Sequence, residues 1–234
     1  MKHQRLATLA TLLALAACST PPDHFHTLRP ALTPASVTAH EATRMLAVGP
    51  VTVPDSLARD EWVIRTGDTG EMVYDHQLWT QGLGADVAQS LVDYLNSNPL
   101  PGGLWADAGP TGSGSGADLE RPAPLRVRVQ VLRLDSILTP SPEVRDQVRW
   151  TLECLPSDAS PGSVDAGRYR VLRTDVRDAA GPAPAANAGV EESQQRFDRV
   201  ARGHSDTVRQ VAADVAAALR ASTAERAQSC RTAP

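Results

Sequence analysis

Two stretches decide the fold: Leu125-Arg126-Val127-Arg128-Val129-Gln130-Val131, and Gln147-Val148-Arg149-Trp150-Thr151-Leu152-Glu153-Cys154. Each alternates apolar and polar residues with a period of two, the pattern of a strand whose one face packs on a core while the other meets water. Pro140 and Pro142 lie between them and make the connection a longish hairpin. Arg168 to Val176 reads as a third, weaker strand, followed by an Ala/Pro/Gly stretch at 179–189.

Working outward, the upstream half adds shorter strands and one helix. His24 to Leu28 is a short first strand, and Met45 to Val53 is β-rich, with Gly49-Pro50 marking a bulge or an edge position. Trp62-Val63-Ile64-Arg65 and Met72-Val73-Tyr74 flank the turn signal Thr66-Gly67-Asp68-Thr69-Gly70, which predicts a hairpin. Leu83, Val87, Leu91 and Leu95 recur at i+4, and Pro99 ends the segment, so a helix is expected there. Residues 100–123 are rich in Gly, Ser and Pro and read as a flexible surface loop.

A second helix is expected from Glu191 to about Ala221, with Phe197, Val200, His204, Val208, Val211, Val215 and Leu219 on one stripe. A break at Gly203 is the alternative; a single helix is favoured because the apolar register survives the glycine. The order strands, helix, strands, helix predicts an α/β single domain, a mixed, mostly antiparallel sheet with two main helices packed on it.

The N-terminal segment has its own logic. Lys2 and Arg5 precede an uncharged apolar run from Leu6 to Ala17, too short to span a bilayer and of the length of a signal-peptide core. Leu15-Ala16-Ala17-Cys18 matches a bacterial lipobox, in which small residues fit the peptidase and the thiol takes a diacylglycerol thioether. The expected division is therefore a signal peptide at 1–17, a lipidated tether with the first strand at 18–40, a domain at 41–224 and a tail at 225–234. Ser19 rather than Asp follows the cysteine, which directs a Gram-negative lipoprotein to the outer membrane. Cleavage removes Lys2 and Arg5 and no acid, taking the net charge from −4 to −6.

That charge argues against a nucleic-acid partner. Cys154 and Cys230 would lie outside the cytoplasm, where disulfides persist. A bridge between them would tie down the tail; two free thiols are the alternative, since sequence does not report their separation.

Chemistry-bearing motifs are scarce. Asp23-His24-Phe25-His26 offers alternate ligands but no third one nearby, so no metal is assigned. Asp68-Thr69-Gly70 resembles an aspartic-protease triplet without a second copy, and a turn explains it better. His76 and His204 could each meet an Asp and a Ser from elsewhere, yet nothing in their spacing selects such partners. No catalytic set and no cofactor is read, apart from the acyl lipid on Cys18. Trp62 and Trp150 fit core-facing strand positions, and Trp79 can staple the entry to the first helix. Trp105 sits in the loop as a candidate contact residue. Arg126, Arg128 and Arg149 fall on the polar strand face, either as an interaction surface for a partner or a second copy of the chain, or as solvated residues paired with Glu153 and neighbouring acids.

These pieces together resemble a known family. Pro21-Pro22 after the lipobox, Phe25-x-Thr27-Leu28, Val51-Thr52-Val53-Pro54-Asp55-Ser56-Leu57-Ala58-Arg59, Trp62-Val63-Ile64-Arg65-Thr66, Trp79 before a helix, Trp150-x-Leu152 and a final Ala-rich helix are similar in order and spacing to the ABC-type transport auxiliary lipoproteins of the PqiC/YmbA kind. The resemblance implies a mixed α/β domain on the periplasmic face of the outer membrane. It implies a non-enzymatic role beside a periplasm-spanning MCE-domain partner, in intermembrane lipid transport or envelope integrity. The long 100–123 loop and the two extra cysteines depart from the family pattern. A lipoprotein that binds a soluble ligand or the cell wall, or an anchored periplasmic enzyme, are the alternative functions.

Overall fold

The structure, a computed structural model, describes residues 21–29, 44–108, 125–154, 170–183 and 193–229. Its elements are β1 (His24–His26), β2 (Arg44–Thr52), β3 (Glu61–Thr66), β4 (Gly70–Trp79), α1 (Leu83–Asn96), β5 (Leu104–Ala108), β6 (Leu125–Ile137), β7 (Glu143–Cys154), β8 (Arg170–Pro182) and α2 (Ser193–Ser229). They form two sheets, one ordered β1-β4-β3 and the other β5-β2-β6-β7-β8. Orientation is mixed: β1–β4, β2–β5 and β2–β6 run parallel, while β3–β4, β6–β7 and β7–β8 run antiparallel.

The core lies between the large sheet and the two helices. The inward row of β7 is Val144, Asp146, Val148, Trp150, Leu152 and Cys154, all buried. On β6 the inward row is Val127, Val129 and Val131, then Leu134 and Ser136. The parity changes because a bulge between Val131 and Arg133 inserts Leu132 as an extra residue. Helix α1 covers this sheet with Leu83, Val87, Leu91 and Leu95, and α2 with Phe197, Val200, Val208, Val211, Val215 and Leu219. The α2 stripe continues through Gly203, so the helix is unbroken there. The glycine marks a close approach: a Cβ at 203 would lie 2.7 Å from Val144 Cγ1.

The small sheet is joined to α2 by aromatic packing. Trp62 lies 4.4 Å between ring centroids from Trp79, and 5.5 Å from Phe197 in an edge-on arrangement. Buried Asp86, in the first turn of α1, accepts the Leu28 backbone N–H at 2.6 Å and the Thr27 hydroxyl at 2.8 Å. Those bonds fix the chain leaving β1 against the helix.

Two expectations are revised. The sheet is two sheets, because the β3–β4 hairpin recruits β1 instead of extending the β2 ladder. The expected loop at 100–123 contains β5, which pairs with β2 from Arg44↔Leu104 to Val48↔Ala108. Its cause is tertiary: the Asn96 side chain donates to the Ala106 carbonyl at 2.8 Å and accepts the Ala106 N–H at 2.9 Å, locking five residues without strong strand propensity to the end of α1. Residues 109–123 of that loop, together with Cys18, Cys230 and the tail beyond 229, lie outside the described residues. The Gly49-Pro50 step is a bulge and not an edge, since β2 is flanked on both sides.

Candidate functional site

Ladder registers place the four residues singled out in the sequence on one surface. Trp105 is opposite Met45, two residues from Ala47, which is opposite Arg126. Arg126 pairs with Glu153, Arg128 with Thr151, and Gln130 with Arg149. Residues two apart share a strand face, so Trp105, Arg126, Arg128 and Arg149 all lie on the side of the large sheet away from the helices. Trp105 is half-buried there, as a strand residue rather than a loop residue.

The charges on this face are unevenly compensated. Arg128 Nε lies 3.4 Å from Glu153 Oε2, and that carboxylate side chain is only 8% exposed. Arg149 donates to the neutral Gln130 Oε1 at 3.1 Å, a contact that leaves its charge uncancelled. Val171 and Val176 of β8 add exposed aliphatic surface beside Glu153 and Arg149, at 56% and 38% exposure. Sequence reasoning missed these two valines because β8 has weak alternation. The surface thus combines guanidinium groups, an aromatic ring and aliphatic side chains, a composition common where proteins meet.

The second constellation is internal. His204 Nδ1 is 2.8 Å from Asp146 Oδ1, and His204 Nε2 is 2.8 Å from Ser136 Oγ. Thr207 donates its hydroxyl to Asp146 Oδ2 at 2.7 Å, and Trp62 Nε1–H donates to Ser136 Oγ at 2.7 Å. The connectivity is that of an Asp–His–Ser nucleophile array. Ser136 is 1% exposed, His204 is 0% exposed, and the Ser136 oxygen already accepts the indole N–H. The array joins β6, β7, α2 and the small sheet in one satisfied buried network, which holds those elements in a single register. Sequence reasoning placed His204 on the apolar stripe but missed Asp146 and Ser136. The signal was available, because each occupies an inward strand position whose neighbours two residues away are apolar.

The two other histidines considered as ligands are separated. His26 is buried and bonded through Nε2 to Gln77 Oε1 at 2.7 Å, while His24 is exposed. Burial pushes the His26 imidazole below its ordinary value, against smaller opposing effects of the Gln77 hydrogen bond and Asp198. His76 Nδ1 is 2.8 Å from Asp23 Oδ1 at the surface. Among the described residues no group of three or more His, Cys, Asp or Glu side chains is arranged to hold a metal, and no helix is long and apolar enough to cross a membrane.

Known proteins share this fold. One solved structure, of a protein of uncharacterised function, aligns with 84% of this chain and 98% of its own, at 17% identity and a TM-score of 0.53. Protein XCC0632 from Xanthomonas campestris, assigned to the DUF330 family, aligns over 82% of this chain and 91% of its own, at 15% identity and a TM-score of 0.50. At those identities the likeness is one of fold. No curated protein sequence matches the chain. The family described as ABC-type transport auxiliary lipoprotein component matches residues 26–216, from β1 to the last turns of the α2 core stripe. The chain belongs to that family, as an auxiliary lipoprotein of ABC-type transport systems held to the cell envelope.

Proposed function

We propose that the protein is a non-enzymatic, outer-membrane lipoprotein subunit of an MCE-type intermembrane lipid transport system. Family membership across residues 26–216 is the observation that carries this reading. The lipobox at Leu15-Ala16-Ala17-Cys18 supplies an anchor, with Ser19 as the sorting residue for the outer membrane. Acyl chains on Cys18 hold strongly, because each buried methylene contributes about 0.8 kcal/mol.

The outer sheet face is the docking surface in this proposal. Arg126, Arg128 and Arg149, with Trp105, Val171 and Val176 around them, suit an acidic surface of a periplasm-spanning MCE-domain protein or a second copy of the chain. Crosslinking in native envelopes followed by capture of the lipoprotein tests the proposal. An MCE-domain protein is the expected partner, and its absence from the captured material contradicts the reading.

A further inference from the structure

Where the β3–β4 hairpin meets the bulge of β6, the surface opens into a cavity of about 150 Å³. That volume is below the usual range for drug-sized ligands, roughly 300–1,000 Å³, and suits a small polar group. Its walls include Leu57 from the short helical turn after β2, Val63 of β3, and Leu132, the extra residue of the bulge. Bulges of this kind re-aim side chains next to functional sites.

The rim carries two guanidinium groups and two carboxylates: Arg65, Arg133, Glu71 and Asp135. Their mutual contacts are loose. Arg65 Nη1 is 3.5 Å from Glu71 Oε1, and Arg65 Nε is 3.7 Å from Asp135 Oδ2. Arg133 Nε is 3.5 Å from the same Asp135 oxygen. Charge-assisted N–H···O contacts at full strength fall near 2.7–2.9 Å, so none of these pairs is closed. Asp135 is shared between two arginines; Arg65 Nη2 also donates to the Asp68 carbonyl at 3.1 Å, and each fork keeps further N–H groups for an incoming anion. A pure anion would meet Glu71 and Asp135 as well, and a pure cation would meet both arginines. A ligand carrying both signs satisfies all four side chains.

We propose that this cavity binds a small zwitterion in which a short linker joins an ammonium to a phosphate or carboxylate. Arg65 and Arg133 receive the anionic end, while Glu71 and Asp135 receive the ammonium. The apolar wall of Leu57, Val63 and Leu132 packs the linker. Such a group can arrive free or as the headgroup of a lipid; the second source deepens the transport reading and rests on it.

The test is phosphorus NMR on the full mature chain in a maltoside detergent, whose headgroup carries no charge. The free probe is phosphoethanolamine and the lipid probe is monomeric short-chain phosphatidylethanolamine. The site predicts line broadening by the first, with affinity falling about tenfold in Arg65→Gln and in Arg133→Gln, as loss of a charge-assisted bond implies. Broadening of both probes with mutual competition supports a lipid-borne headgroup; broadening of the free probe alone supports a soluble zwitterion. Glycerol phosphate bound as tightly as phosphoethanolamine, no broadening by either probe, or affinity unchanged in folded Arg65→Gln and Arg133→Gln would overturn the proposal. None of these readings involves a protein partner, so failure here leaves partner capture as a separate test of the transport reading.

Discussion

His204 and Asp146 face each other across the interface of α2 and β7, Nδ1 to Oδ1 at 2.8 Å, with both side chains fully shielded from water. A buried carboxylate is costly unless its oxygens are bonded, and here Thr207 holds the second oxygen. The pair fixes how far along β7 the long helix sits. Replacing His204 with Leu leaves Asp146 without its main partner, and urea denaturation should show a loss of about 3–5 kcal/mol. Ser136→Ala leaves the Trp62 N–H and His204 Nε2 unbonded, for a smaller loss of about 1–3 kcal/mol. Near wild-type stability in both variants would remove the network from the account of the fold.

Gly203 sets two effects against each other. Alanine improves helix propensity by about 1 kcal/mol. Its Cβ, however, would sit 2.7 Å from Val144 Cγ1, a stiff β-branched side chain in the sheet. Overpacking of this kind costs about 1–3 kcal/mol, so Gly203→Ala should destabilise on balance. Adding Val144→Ala should recover part of the loss. A Gly203→Ala protein that melts above wild type would show that the helix shifts freely.

His26 makes stability depend on pH in a defined direction. Its folded value lies below the ordinary 6.5, so between those two values the unfolded chain binds more protons than the folded one. Stability therefore rises with pH across that window and is lost as pH falls below about 6.5. Asp86 has the opposite sign: burial raises its carboxyl above 3.8, so stability improves as pH falls toward that value from above. His26→Gln keeps a polar partner for Gln77, and should flatten the loss of stability as pH falls below about 6.5. Parallel pH–stability curves for variant and wild type would exclude His26 as the cause.

Cys154 is fully buried and disulfide-bonded. We propose Cys230 as its partner, with Cys18 carrying the lipid. Closing a loop of about 75 residues would stabilise by roughly 4 kcal/mol in the chain-entropy view. Peptide mapping without reductant should yield a linked pair containing both residues, whereas alkylation of Cys230 in the unreduced protein would refute the pairing.

Much of the architecture was legible because it rests on periodicity. The i+4 spacing of Leu83, Val87, Leu91 and Leu95 points to a helix, and the helix runs from Leu83 to Asn96. The alternation at 125–131 and 147–154 identifies β6 and β7 but underestimates them, since the bulge at Leu132 flips the parity and Asp146 interrupts the apolar row. β5 was illegible for another reason: Leu104-Trp105-Ala106-Asp107-Ala108 is a strand through bonds from Asn96 and pairing with β2, neither of which is local. The co-location of Trp105 with Arg126, Arg128 and Arg149 depends on strand order, which a sequence does not specify. The buried Ser136–His204–Asp146 chain needed three elements brought together, although each residue stood out as polar in an apolar row.

Anchoring can be checked separately. Cys18→Ala removes the only acyl acceptor in the lipobox, so the variant should leave the membrane fraction and appear in the soluble envelope fraction. Membrane fractionation identical to wild type would contradict lipidation at this residue.

In the function we propose, the protein works beside an MCE-domain partner and meets it through the outer sheet face. The most direct measurement is crosslinking in native envelopes, comparing wild type with an Arg126→Glu/Arg128→Glu double variant. Both positions lie half-buried on the strand face away from the helices, and Arg128 faces the buried Glu153 carboxylate, so the double variant loses some stability and its folding is checked by urea denaturation before crosslinking. We predict an MCE-domain protein captured by wild type and lost, or sharply reduced, with a double variant that is still folded and attached to the membrane. Capture that never contains an MCE-domain protein, from wild type or variant, would contradict the proposal.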